Sequence, residues 1–170
     1  PDHPMEVRIT YDNTAIYIGA ICYDSAPDSI LKELGARDAS EINADYIRVG
    51  IDPYNNHQDA YFFGVYASGV QFDNKVSDPT YDAVWESQVK ITEQGWVAEI
   101  KIPYSAIRFP KKPEQLWSFQ INRYVRRTRE LTQWSKTPSK TNNSQIYWGN
   151  LKGVNYVSAP LRLSLTPYLS

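Results

Sequence analysis

Apolar and polar residues alternate with a period of two along most of this chain, the repeat of a strand with one buried and one wet face. Val7-Arg8-Ile9-Thr10-Tyr11, Ile16 to Cys22 and Ile47-Arg48-Val49-Gly50-Ile51 show it most cleanly. Tyr61 to Ala67 is apolar on both parities, as in a strand covered on both faces. Ser87 to Thr92, Trp96 to Ile102, Trp117 to Val125, Leu131 to Ser135, Tyr147 to Leu151 and Leu161 to Leu165 bring the set to about ten strands. Turn chemistry separates them at Asp12-Asn13, Asp52 to Asn56, Ser68-Gly69, Gln94-Gly95 and Pro138 to Ser144. Helix is confined to Pro27 to Leu34, stopped by Gly35, and to one proline-started turn at Pro103 to Ile107. The expectation is an all-β antiparallel β-sandwich spanning residues 1–158, with 159–170 as a tail or the start of a following region.

Composition narrows the chemistry. Eighteen Lys and Arg against 19 Asp and Glu give a formal charge of −1, so no net field attracts nucleic acid or an anionic bilayer. The basic run Arg123, Arg126, Arg127 and Arg129 divides between two strand faces and is followed at once by Glu130, so it reads as a solvated hairpin end. The single cysteine, Cys22, excludes an internal disulfide and a cysteine zinc cage. With only His3 and His57, a Ser-His-Asp or metal-histidine centre would rest on a loop residue without a partner at a recognisable spacing. No apolar run reaches the ~18–20 residues of a membrane helix, and the opening Pro-Asp-His-Pro has no leader-peptide character.

Aromatic residues are in surplus: 13 Tyr, 5 Trp and 5 Phe. Large rings fill the space between two sheets, and that is the expected place of most of Trp85, Trp96, Trp117, Trp134 and Trp148. An aromatic plane can also stack on the C–H face of a sugar.

Several segments in order carry a family likeness: Ile16-Tyr17-Ile18-Gly19 followed by Asp24, Asp45 to Asp52, Gly95-Trp96-Val97-Ala98-Glu99-Ile100-Lys101-Ile102-Pro103, Trp117-Ser118-Phe119-Gln120-Ile121-Asn122-Arg123, Trp134-Ser135 and Trp148-Gly149-Asn150-Leu151. Together these resemble the family 9 carbohydrate-binding module and its wider relatives. Within that group the chain is most similar to the amino-terminal module of large Gram-negative envelope proteins that continue into an outer-membrane β-barrel. The resemblance implies a non-catalytic module in the periplasm or at the outer membrane. Its partners would be a glycan, or a barrel region of the same polypeptide against which a purely structural domain would pack.

In sugar-binding relatives two tryptophans clamp a terminal sugar, and those positions hold Ile42 and Gln145 here. An assisting glutamate falls on Arg48, while Asn142 keeps a sugar-facing amide. A displaced platform would then use Trp134, Tyr147, Trp148 and Tyr46 with Asn142, and Trp134 is the best exposed candidate. Relatives also carry structural calcium, for which Asp52, Asn55, Asn56 and Asp59, or Asp73, Asn74, Asp78 and Asp82, supply suitable oxygens. Haem binding, known in distant relatives, would use Met5 or His57. Glu99 and Arg123, both on expected strands in apolar surroundings, are expected to form a buried structural ion pair.

Overall fold

A computed structural model describes residues 3–160 of the chain. Ten strands form in sequence order: β1 (Met5–Tyr11), β2 (Ala15–Tyr23), β3 (Tyr46–Asp52), β4 (Tyr61–Tyr66), β5 (Gln71–Lys75), β6 (Glu86–Thr92), β7 (Gly95–Pro103), β8 (Glu114–Val125), β9 (Glu130–Gln133) and β10 (Gly149–Asn155). One sheet has the order β1-β2-β7-β6, the other β10-β8-β3-β4-β5 with β9 also against β8, and every pairing is antiparallel. β9 and β10 pair with successive stretches of β8, so they lie end to end along one margin of the larger sheet.

The inward rows follow the sequence parity. Ile16, Ile18, Ala20 and Cys22 of β2 with Trp96, Ala98, Ile100 and Ile102 of β7 meet Ile47, Val49, Ile51, Phe63, Val65, Trp117, Phe119 and Ile121 in one buried core. Four of the five tryptophans are buried, and Trp134 alone among them is well exposed. The tryptophans are thus mostly buried, where each ring removes much apolar area from water.

Three expectations change. Asp73 and Asn74, expected in an oxygen-rich loop with Asp78 and Asp82, lie in edge strand β5 because Asp73 turns inward: its carboxylate accepts from Trp85 Nε1 at 2.8 Å and Ala83 N at 3.1 Å and pairs with Arg37. The helical stretch 27–34 shortens to a single 3₁₀ turn, Pro27–Ser29, while Pro103 to Ala106 closes only a hydrogen-bonded turn. A second 3₁₀ turn, Gln145–Tyr147, precedes β10, which begins at Gly149 rather than Tyr147. The expected strand at Leu161 to Leu165 lies outside the described residues.

The ion pair between Glu99 and Arg123 does not form. The two residues lie in different sheets, and the parity that buries Trp96, Ala98 and Ile100 turns Glu99 to the outer surface. Arg123 instead continues the inward row of β8. Its Nη1 donates to Pro4 O at 2.7 Å and Tyr23 O at 2.8 Å, and Asp24 lies 4.0 Å from Nη2. One guanidinium therefore ties the larger sheet to the end of β2 and to the segment entering β1.

Candidate functional site

Along the margin where β9 meets β10, the sandwich opens into a groove of about 730 Å³ against β1. Met5, Val7 and Ile9 project from β1, and Phe119, Ile121 and Leu151 from the opposite sheet. Glu6, Gln133, Asn150 and Lys152 also line it. Trp134 stands at the head of this groove, 57% exposed, because its ring lies over Gly149, where a Cβ would come within 2.3 Å of it. Phe119 meets the same ring edge-on at 5.9 Å. Gly149 pairs with Phe119, an inward-facing residue, so the indole belongs to the side of the sheet that faces the core.

Trp148 takes the other side. Its ring covers Gly50, which pairs with Gln120 in the outward row, and Phe62 packs against it edge-on at 5.6 Å. Tyr46 lies further along the outer face, stacked on Tyr124 at 5.2 Å and edge-on to Tyr66 and Phe72. The five-residue platform expected from sequence is therefore not assembled: Trp134 and Trp148 face opposite sides, and Tyr46 is spent on packing. Tyr147 remains exposed, and Ser135 Oγ donates to its backbone carbonyl at 2.5 Å. Asn142 is exposed and makes no hydrogen bond within the described residues, in a loop pinned by Asn143 Nδ2 donating to His57 O at 2.7 Å.

The two clamp positions are filled inward. Ile42 is 7% exposed in a satellite cluster with Ala44 and Tyr66, and Gln145 is 9% exposed. Arg48 lies over the Phe62 ring at 4.8 Å and, with the Asn122 amide turned to satisfy both partners, donates to its oxygen at 3.2 Å. These positions present no facing pair of exposed rings.

The calcium candidates use their oxygens elsewhere. Asp52 accepts from Tyr54 N at 3.0 Å and His57 N at 2.8 Å, Asn55 accepts from Ser118 Oγ, and Asp59 holds Ser77 and Lys75. Asp78 caps its own turn through Thr80, and Asp82 lies 3.5 Å from Arg37. Turn formation explains this clustering of oxygens, and among the described residues no three His, Cys, Asp or Glu side chains converge on a metal position. His57 Nδ1 lies 3.4 Å from Ser118 Oγ, but that hydroxyl is buried and committed to Asn55, so the pair does not form an activated nucleophile. Met5 faces the groove floor as a packing residue.

The basic run is tied into the protein. Arg127 makes a two-pronged bond to Asp24 at 2.6 and 2.7 Å, and Arg126 Nε donates to Asn43 at 3.0 Å. Burial alone would raise the Asp24 pKa, but the bonds from Arg127 and Ala26 N outweigh it and hold the carboxyl below its ordinary range. Burial prevails at Asp45, which is raised even beside Arg123 and Arg127. Burial also pushes the Cys22 thiol up to about 12, so it stays protonated and inert.

This cluster fixes the upper end of the groove through His3, whose Nδ1 bonds Glu130 at 2.8 Å and holds its pKa down. A depressed carboxyl pKa means the folded state binds fewer protons than the unfolded one, so the stabilisation is complete above about pH 5 and fades as pH falls through the folded value. Wild type is expected to exceed Glu130→Gln in stability by about 1 kcal/mol at neutral pH, with the gap closing as the pH falls below the ordinary carboxylate range. Asp45 and Asp73, both raised by burial, act in the opposite sense, so thermal melts compare the two proteins at each pH. A gap that does not change with pH would refute the assignment.

Sequence reasoning missed the groove because it is made by β1 meeting the margin of the other sheet, which no local pattern records. The apolar parity of Met5, Val7 and Ile9 was its one visible trace.

Two solved structures share the fold. One, from Bacteroides uniformis and described as a candidate carbohydrate-binding protein, superposes with a TM-score of 0.72 at 11% identity, covering 88% of this chain and 78% of that one. The other, a family 9 carbohydrate-binding module from Caldicellulosiruptor kristjanssonii in complex with cellotriose, gives 0.61 at 14% identity, covering 100% of this chain and 83% of that one. No curated protein sequence matches the chain. The carbohydrate family 9 binding domain-like profile matches residues 2–155, almost the whole sandwich, and the chain belongs to that family.

Proposed function

We propose that this chain is a non-catalytic glycan-binding module of the Gram-negative envelope, and that its saccharide surface is the groove at Trp134 rather than the clamp positions Ile42 and Gln145. The observation that carries the reading is the indole of Trp134, more than half exposed, above an apolar floor with amide and charged residues also in the lining. One face of a flat ring satisfies the C–H surface of a pyranose, and the polar atoms of the lining residues Gln133, Asn150 and Lys152, backbone groups included, supply donors and acceptors for hydroxyls. A single stacking ring contributes about 0.5–1.5 kcal/mol beyond its buried area, so the binding is weak.

Cellotriose, bound by the Caldicellulosiruptor module, is the first ligand to test. Calorimetry against a panel of oligosaccharides is expected to show binding that Trp134→Ala weakens roughly tenfold, the equivalent of about 1.4 kcal/mol. Arg48→Ala, on the opposite face, is expected to leave it unchanged.

A second reading, a domain that packs on a following membrane barrel, draws on the burial of Ile42 and Gln145 and on the apolar floor of the groove. Silence of the folded protein across the whole panel would favour it and remove the glycan.

A further inference from the structure

Gly19 sits in the middle of β2, and nothing in the fold requires a glycine there. Its backbone is not among the positive-φ glycines, the pairing with β1 and β7 runs through it without a bulge, and a Cβ at this position would meet nothing within 4 Å. Glycine inside a strand is destabilising relative to alanine. Where no bulge or bend explains it, such a glycine marks the close approach of another group. Gly19 lies in the floor of a hollow of about 640 Å³ on the outer face of the four-stranded sheet.

The register places the walls. Arg8 and Glu99 flank Gly19 in one row, with Gln88 beyond Glu99, while Tyr17 and Lys101 stand in the next row. The cations are already matched: Arg8 bonds Glu6 at 2.8 and 3.0 Å, and Lys101 bonds Glu86 at 2.8 Å. Tyr17 Oη donates to Asp12 at 2.8 Å, which fixes the phenol. The side chains of Glu99 and Gln88, both exposed, have no hydrogen-bonding partner among the described residues. The hollow therefore offers a bare backbone floor, one aromatic wall, one uncompensated carboxylate and one free amide. A ring with an apolar face and several hydroxyls matches that set, because hydroxyls donate to the carboxylate and exchange both ways with the amide. An anionic sugar would meet the unpaired charge of Glu99.

We infer that the hollow over Gly19 is a second saccharide subsite, selective for neutral sugars and separate from the Trp134 groove. It rests on the carbohydrate-binding reading of the module. Amide and indole NMR shifts of the ¹⁵N-labelled protein, titrated with cellotriose, xylotriose and trigalacturonate, test it. The neutral trisaccharides are expected to move the amides of Gly19, Glu99 and Gln88 in wild type and in Trp134→Ala alike. Gly19→Val fills the hollow with a residue suited to a strand, so it is expected to fold with an undiminished thermal midpoint yet bind there at least tenfold more weakly. Shifts confined to the Trp134 indole would overturn the subsite and leave the binding module standing. Shifts in β2 and β7 that survive Gly19→Val, or that only trigalacturonate produces, would also overturn it. No shift with any of the three would overturn both readings.

Discussion

Arg123→Leu is expected to destabilise the sandwich by about 3–5 kcal/mol, the cost of removing one partner from a buried charged network, against a total of about 5–15 kcal/mol for a domain. The side chain is fully buried in the inward row of β8, and its Nη1 satisfies two backbone carbonyls, Pro4 O and Tyr23 O, that belong to the opposite sheet and its approach. Leucine would leave Tyr23 O without its donor, leave Pro4 O with the Tyr23 amide alone, and leave Asp24 and Asp45 without their nearest buried cation. Leucine fills part of the volume, so the loss would reflect the missing donors and charge more than a cavity. Urea unfolding should show a lower midpoint at an unchanged slope. Asp45→Asn in the Arg123→Leu background should recover part of the loss, because the raised carboxyl no longer has to be buried charged. A loss below about 1 kcal/mol, the value of an ordinary neutral hydrogen bond, would refute the bridging role.

How legible this was in the sequence differs from residue to residue. The strands β2 and β7 were plain, since Ile16-Ile18-Ala20-Cys22 and Trp96-Ala98-Ile100-Ile102 keep one parity apolar and the structure buries those rows. The same parity already placed Glu99 outward, and pairing it with Arg123 gave a buried charge the wrong partner because sequence spacing does not say which sheet a strand joins. The true partners are mostly backbone carbonyls, which leave no mark in a sequence. β5 was hidden for the opposite reason: Asp73 occupies a position where an apolar residue would have announced a strand, and its inward turn is compensated by Arg37, Trp85 and Ala83. Trp134 and Trp148 were legible as aromatics near one loop. Their separation onto two faces depends on the parity of Gly149 and Gly50 beneath them. The outer-face glycine Gly19, by contrast, stood in plain view inside an alternating run, and only the empty space above it gives it meaning.

Three glycines in this fold lead to three different outcomes on replacement by alanine, and Gly95 is expected to lose the most. It opens β7 at φ +134°, and a Cβ there would come within 2.0 Å of Cys22 O and 2.9 Å of Asp24 N, backbone atoms of β2 and of the residue just after it. Backbone cannot swing aside as a side-chain tip can, so β2 and β7 must part at the end that carries Asp24 and the Arg123 contacts. Strain and clash together are expected to cost about 3 kcal/mol or more, a fall of about 10 °C in thermal midpoint for a domain of this size. Gly153 has a φ of +88° but nothing within 4 Å of its Cβ, so Gly153→Ala isolates the strain and should cost about 1–2 kcal/mol. Gly19→Ala has neither strain nor clash and should be neutral or slightly stabilising, because alanine lowers the entropy of the unfolded chain. The ordering Gly95, Gly153, Gly19 in thermal melts separates the two causes. If Gly153→Ala were as damaging as Gly95→Ala, the contact with Cys22 would not be what makes Gly95 indispensable.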